Sequence, residues 1–273
     1  MKTNAIVRIV IYSVLTALLL CLLIGGIHLG SLHFSVDDGH SYSLGSGSVD
    51  VSSIHNLEIE WAAGSITLQT ADTDKITFSE TGSSSAPQLA YRIEDQTLIL
   101  CYSKPAFSIG LLNMPKKDLA VTVPRDWDCH ILELESASTK ITATGLKAEK
   151  INLESASGTC HFSDCTVGDL DVDTASGDIT YTGTLNTLDC DAASADFTGV
   201  FTNTPKRITM DAASGDLDIT LPENCGYELD MDTLSGDFQS DFGNANIYGD
   251  GSCKISMDGA SGDVRIRKPS GGA

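Results

Sequence analysis

One short phrase, written seven times, constrains this chain more than any other feature of its sequence. It is clearest at Asp173-Thr174-Ala175-Ser176-Gly177-Asp178-Ile179 and returns as Asp211-Ala212-Ala213-Ser214-Gly215-Asp216-Leu217 and Asp258-Gly259-Ala260-Ser261-Gly262-Asp263-Val264. Weaker copies surround Ser138, Ser157, Ser194 and Ser235. Aligned on the serine, the position four before holds Leu134, Leu153, Val172, Cys190, Met210, Met231 and Met257. The position three before is acidic every time: Glu135, Glu154, Asp173, Asp191, Asp211, Asp232 and Asp258. Three after stand Ile141, Cys160, Ile179, Phe197, Leu217, Phe238 and Val264. The serines step by 19, 19, 18, 20, 21 and 26 residues, and a period in this range marks a solenoid.

Each copy reads as two strands meeting at a corner. Leu170 and Val172 alternate with Asp169, Asp171 and Asp173, and Ile179 and Tyr181 alternate with Asp178, Thr180 and Thr182. That period of two is the pattern of a half-buried strand. Ala-Ser-Gly between them supplies small side chains and a residue free to take positive φ. An antiparallel sandwich also repeats strands at short intervals, but gives no reason for one residue type to fill one column. Stacked rungs do, because equivalent positions lie on one another and each unit buries its apolar edge against its neighbours. The expected fold is therefore all-β, a β-solenoid of about 20-residue rungs, preceded by one N-terminal transmembrane helix.

That helix is expected at 9–29. Ile9 to Ile27 carries no charge and follows Lys2 and Arg8. As a helix it would span roughly 28 Å, about the hydrocarbon thickness of a bilayer. Gly25-Gly26-Ile27-His28 is a poor cleavage site, and Leu20 is too large to precede a lipid-bearing Cys21. The expectation is an uncleaved single-pass anchor in the cell membrane, with 1–8 cytoplasmic and the repeats outside. Residues 30–53 read as a flexible connector, 54–268 as the repeat domain and 269–273 as a tail. His28, His33 and His40 straddle the membrane exit without a shared face and read as interfacial or solvated residues.

Leu57 to Ile66 fits the repeat as an early rung, with Glu60 in the acidic column. Ile76–Phe78 and Leu98–Cys101 read as strands, Phe107–Lys117 as a packed loop, and Val121–Pro124 as a strand stopped by its proline. Val264-Arg265-Ile266-Arg267-Lys268 reads as the closing rung, its charges blunting an open sheet end.

A net charge of −20, from 17 basic and 37 acidic residues, argues against a nucleic-acid partner. Cys160 and Cys190 occupy inward columns and read as small buried hydrophobes. Cys160 and Cys165 have a metal-like spacing, but no second Cys or His pair accompanies them. Seven cysteines outside the first segment is an odd number, which fits reducing surroundings better than a disulfide framework. Seven serines at seven corners indicate a structural task, since a nucleophile is needed once. His130 and His161 have no carboxylate partner that the sequence identifies. No catalytic residue, cofactor or small-molecule substrate is expected.

The acidic columns raise a physical question. Equivalent positions on stacked rungs lie about 4.8 Å apart, where like charges repel by roughly 1–3 kcal/mol depending on the local dielectric. One answer is hydrogen bonding of Asp173, Asp211, Asp258 and their equivalents to corner N–H groups. The other is a ladder of cations joining them to Asp178, Asp216 and Asp263, with calcium suited to all-oxygen ligands. The nonapeptide of calcium β-rolls is absent from the sequence, and the backbone answer is the expected one.

The N-terminal anchor, the Val121–Pro124 strand and the Ala-Ser-Gly-Asp corners together resemble a bacterial family of β-strand-repeat adhesins or LiaG-like proteins, whose function is largely unknown. The resemblance covers Leu57 to Arg267 and implies a β-helix-like fold, a membrane tether and no established catalytic residues. Thr139 and Ala195 replace the corner glycine, which implies that those rungs turn differently. The expected function is a membrane-anchored, extracytoplasmic, non-enzymatic scaffold or adhesin-like surface, with an envelope polymer or protein as partner. The alternative is an accessory protein of envelope-stress sensing that acts through a membrane partner.

Overall fold

The computed structural model describes residues 41–82, 86–103, 115–243 and 245–269. The expected cytoplasmic residues, the anchor at 9–29, His28, His33, His40, most of the Phe107–Lys117 loop and the end of the tail lie outside the described residues. Within them, no helix is long and apolar enough to cross a membrane.

The architecture is all-β, as expected. β1 (Ser43–Leu44) and β2 (Gly47–Asp50) lead through a single 3-10 turn into β3 (Asn56–Ala71), β4 (Lys75–Gly82), β5 (Ala90–Glu94) and β6 (Thr97–Cys101). The central run is β7 (Lys117–Pro124), β8 (Cys129–Thr144), β9 (Lys147–Ser176), β10 (Ile179–Ser194) and β11 (Phe197–Phe201). Then come β12 (Arg207–Ser214), β13 (Leu217–Thr220), β14 (Tyr227–Ser235), β15 (Phe238–Ser240), β16 (Ile247–Tyr248), β17 (Cys253–Ser261) and β18 (Val264–Arg267).

The repeats pair in parallel and in register, which excludes the antiparallel sandwich and is consistent with stacked rungs. Ser138 lies opposite Ser157, Ser176 opposite Ser194, and Ser194 opposite Ser214. β9 coils back on itself, so that Gly177 lies against Gly158. Ala63 sits opposite Ser138, confirming Leu57–Ile66 as an early rung.

The order of rungs departs from chain order at both ends. Ser214 pairs with Ser261, and Ser261 in turn with Ser235, so the last rung in sequence is inserted before the one preceding it. At the other end β3 is enclosed between β8 and the pair β6 and β7. The closing-rung expectation is thereby corrected: β18 is interior, with Val264 paired to both Leu217 and Phe238. Its arginines do not blunt an edge. Arg267 forms a two-pronged pair with Asp218 at 2.6 and 2.7 Å, and Arg265 bonds Asp216 and Asp263 at 2.9 and 2.6 Å. Two guanidinium groups between acidic rungs offset the repulsion that stacked carboxylates create.

The connector expectation is also corrected over its last part. Ser43–Leu44 pairs antiparallel with β5, and Gly47–Asp50 with β4. With β4 running antiparallel to β7 and β5 to β6, this end of the stack is covered by hairpin-like strands.

The inward columns are dry. Leu134, Met210, Met257, Phe197 and Leu217 are at most 1% exposed, and only Met231 and Phe238 are half-buried. Both belong to the Ser235 rung, which the reordering places at the edge. A cavity bounded by Leu57, Leu68, Val123 and Trp127 measures about 10 Å³, barely room for one water. One charge is buried near the covered end: Lys117, 2% exposed. Its ammonium donates to Glu80, the Pro87 carbonyl and the Tyr102 carbonyl at 2.5, 2.8 and 2.6 Å, so all three donors are satisfied.

Candidate functional site

The register turns the acidic positions into a wall. Glu60 faces Glu135, Glu135 faces Glu154, and beyond the coil of β9 the row continues through Asp173, Asp191, Asp211, Asp258 and Asp232. Alternation along each strand puts the apolar residues on either side of these positions into the core and the carboxylates outward. All are exposed except Asp211 and Asp258, which are half-buried. A second row two residues earlier includes Glu58, Glu133, Asp171, Asp189 and Asp230. Lys150 reaches Asp171 at 2.6 Å and Arg207 stands 3.7 Å from Asp189, so cations are interspersed there.

Backbone hydrogen bonding occurs on the column after the corner. The Asp196 carboxylate accepts from the Asp216 N–H at 2.8 Å, Asp216 from the Asp263 N–H at 2.9 Å, and Asp263 from the Asp237 N–H at 2.9 Å. Each carboxylate thus ties its rung to the next. The Asp263 N–H and the Arg265 guanidinium hold the Asp216 carboxyl below the usual aspartate range. Asp178 stands on the same column, exposed. With this ladder in place, melting in metal-free buffer should match melting in millimolar calcium. A rise of about ten degrees, what a site at a hundred times its Kd yields at this size, would favour a cation ladder instead.

Where the wall meets β3 the carboxylates crowd. Glu58 is pushed up to about 7, first by burial, then by a hydrogen bond with Glu60 and by the charges of Glu60, Glu133 and Glu135. Glu135 is raised for the same reasons, burial first. A carboxyl that holds its proton more tightly when folded stabilises the fold below the unfolded value, and this stability is lost as pH rises through the folded value. Here that window runs from the ordinary glutamate value of 4.5 to about 7. Glu58 is partly exposed, so solvent screening reduces the effect to about 1–2 kcal/mol. Glu58→Gln should therefore melt higher than the parent at pH 8 and converge with it at pH 4. Parallel melting curves for the two proteins across this range would refute it.

All seven cysteines in the described residues are free and buried, and burial pushes Cys160 and Cys190 up to about 12. One cluster escaped the sequence reading. His55, Asp128 and His130 converge where β3 and β8 begin, although His55 and His130 stand far apart in the chain. Only the alternation Asp128-Cys129-His130 hinted at it, and that signal is too common to use alone.

A known domain model matches residues 54–187 and again 132–267, together spanning most of the repeat region. The chain belongs to the Toastrack DUF4097 family. The two matches of this Toastrack chain overlap over residues 132–187. None of the curated proteins compared matches it. Among solved structures it is similar to a protein described as a "putative adhesin" from Bacteroides fragilis, at 14% identity over 83% of this chain and 98% of that one, with a TM-score of 0.45. A "putative lipid binding protein" from Parabacteroides distasonis has 14% identity over 84% and 97%, with a TM-score of 0.46. A "putative cell adhesion protein" from Clostridium sporogenes has 13% identity over 84% and 100%, with a TM-score of 0.38.

Proposed function

We propose that this Toastrack chain is a membrane-anchored, extracytoplasmic and non-enzymatic scaffold whose acidic wall is an adhesin-like contact face. The observation that carries this reading is the row from Glu60 to Asp232, one carboxylate per rung along a continuous face. A regular array of like charge recruits a partner through many weak, additive contacts. The partner that fits is an envelope polymer or protein carrying spaced positive charge. The anchor rests on the uncharged run Ile9–Ile27 behind Lys2 and Arg8.

Three measurements test it. An epitope appended after Ala273 should bind antibody on intact cells; a tag reached only after lysis would reverse the topology. The full chain should be retained on isolated cell envelopes in a salt-sensitive manner, and Glu154→Gln/Asp173→Asn/Asp191→Asn should weaken retention by at least roughly tenfold. Equal retention of parent and variant would move the contact off this face. One stoichiometric membrane partner, crosslinked through Ile9–Ile27, would favour the regulatory alternative.

A further inference from the structure

We infer that His55, Asp128 and His130 form a binding site for one divalent transition metal, zinc by its ligand chemistry. Each of the three offers one ligand atom, and these atoms lie within 4.8 Å of one another. The fold builds this convergence from two adjacent rungs. The His130 N–H bonds the His55 carbonyl at 2.9 Å, which sets the histidines side by side, with their rings stacked at 4.9 Å and 12°. Asp128 and His130 flank Cys129 at the entry to β8, so alternation directs both outward while the thiol is buried.

Three observations favour a ligand here over a bland surface cluster. The Asp128 Oδ2 to His130 Nε2 separation is 3.6 Å, too long for a hydrogen bond but close to the spacing of two ligands on one zinc ion, each bound at about 2.0–2.2 Å. The His55 Nδ1 is buried without a hydrogen-bond partner, and a buried polar atom left unpaired is costly. Asp128, whose side chain is largely exposed, also borders an open groove of about 440 Å³ that neither histidine lines, so solvent reaches the cluster from the aspartate side. The side chains of Asp128 and His130 are 78% and 45% exposed, leaving them room to close the remaining distance.

The donor set selects the metal. Two imidazoles and one carboxylate suit zinc, copper or nickel, whereas calcium and magnesium prefer oxygen alone. The Cys129 thiol is turned into the core, away from its outward-facing neighbours Asp128 and His130, and is left out of the ligand set. An ion here would pin the rung of β3, which the chain inserts out of order, to the rung that follows it.

The test uses the full chain without a histidine tag, stripped by chelator and titrated with zinc chloride and cobalt chloride. The expected result is one equivalent of zinc at micromolar affinity, a higher melting temperature, and the visible bands of four-coordinate cobalt. His55→Ala and His130→Ala should each weaken binding by at least roughly tenfold, the low end of what even outer-shell partners contribute. His161→Ala, on another rung, should leave binding unchanged. Circular dichroism checks folding, and Asp128→Asn at the most exposed ligand keeps the test open should a histidine variant fail to fold. Absence of saturable zinc binding, or binding that survives Asp128→Asn and the histidine substitutions alike, would overturn the site.

Discussion

Met210→Asp is expected to destabilise the whole stack and not merely dent it. Met210 is 0% exposed, and its neighbours in register are Cys190 and Met257. Among the described residues the only buried cation is Lys117, on β7 and already engaged by Glu80, so the new carboxylate would be buried unpaired or would have to protonate. The expected loss is about 4–5 kcal/mol, the upper range for single substitutions and a large part of a typical domain's stability. At this chain length it corresponds to a melting temperature lower by about 10–20 °C. Because each rung rests on its neighbours, damage should spread to the rungs of Ser194 and Ser261 and not stay local. Met210→Leu keeps the volume and should cost less than about 1.5 kcal/mol. If the circular dichroism melt of Met210→Asp moves by less than about 4 °C, roughly what one kcal/mol produces at this size, the inward column is misassigned.

Gly177→Ala should be the most damaging single methyl in the repeats. Gly177 has φ +136°, and a Cβ there would overlap the carbonyl oxygen of Gly158 on the neighbouring rung. Strain and overlap act together, for an expected cost of about 3–5 kcal/mol. Gly45 separates the two effects, since its φ is +84° but a Cβ there would meet nothing within 4 Å. Gly45→Ala should therefore show strain alone, about 1–2 kcal/mol. Equal shifts in the two melts would mean that close approach between rungs is not what selects glycine. Thr139 and Ala195 stand at corners without positive φ, as Gly236 and Gly262 also do, so a corner does not require the left-handed backbone on every rung.

Much of this was legible in the residues. Strand alternation, the inward columns, the acidic column, the early rung at Leu57–Ile66 and the proline stop at Pro124 all follow from short-range pattern, because burial on a strand repeats every two residues and stacking repeats it every rung. What the pattern does not carry is which rung lies next to which. Equivalent rungs present nearly the same edge, so pairing Ser214 with Ser261 instead of Ser235 leaves every column intact. That choice depends on long-range fit: Arg265 and Arg267 reach Asp216 and Asp218 only if β18 lies beside β13. The same limit hid the strand pairing of Ser43–Asp50, a polar stretch whose partners β4 and β5 lie further along the chain. It also hid the meeting of His55 with Asp128 and His130, which exists only because β3 is laid against β8. The sequence by itself determined the shape of a rung and the faces it turns inward and outward. Tertiary structure alone decided the order of the rungs, because contacts between distant segments leave no period in the chain.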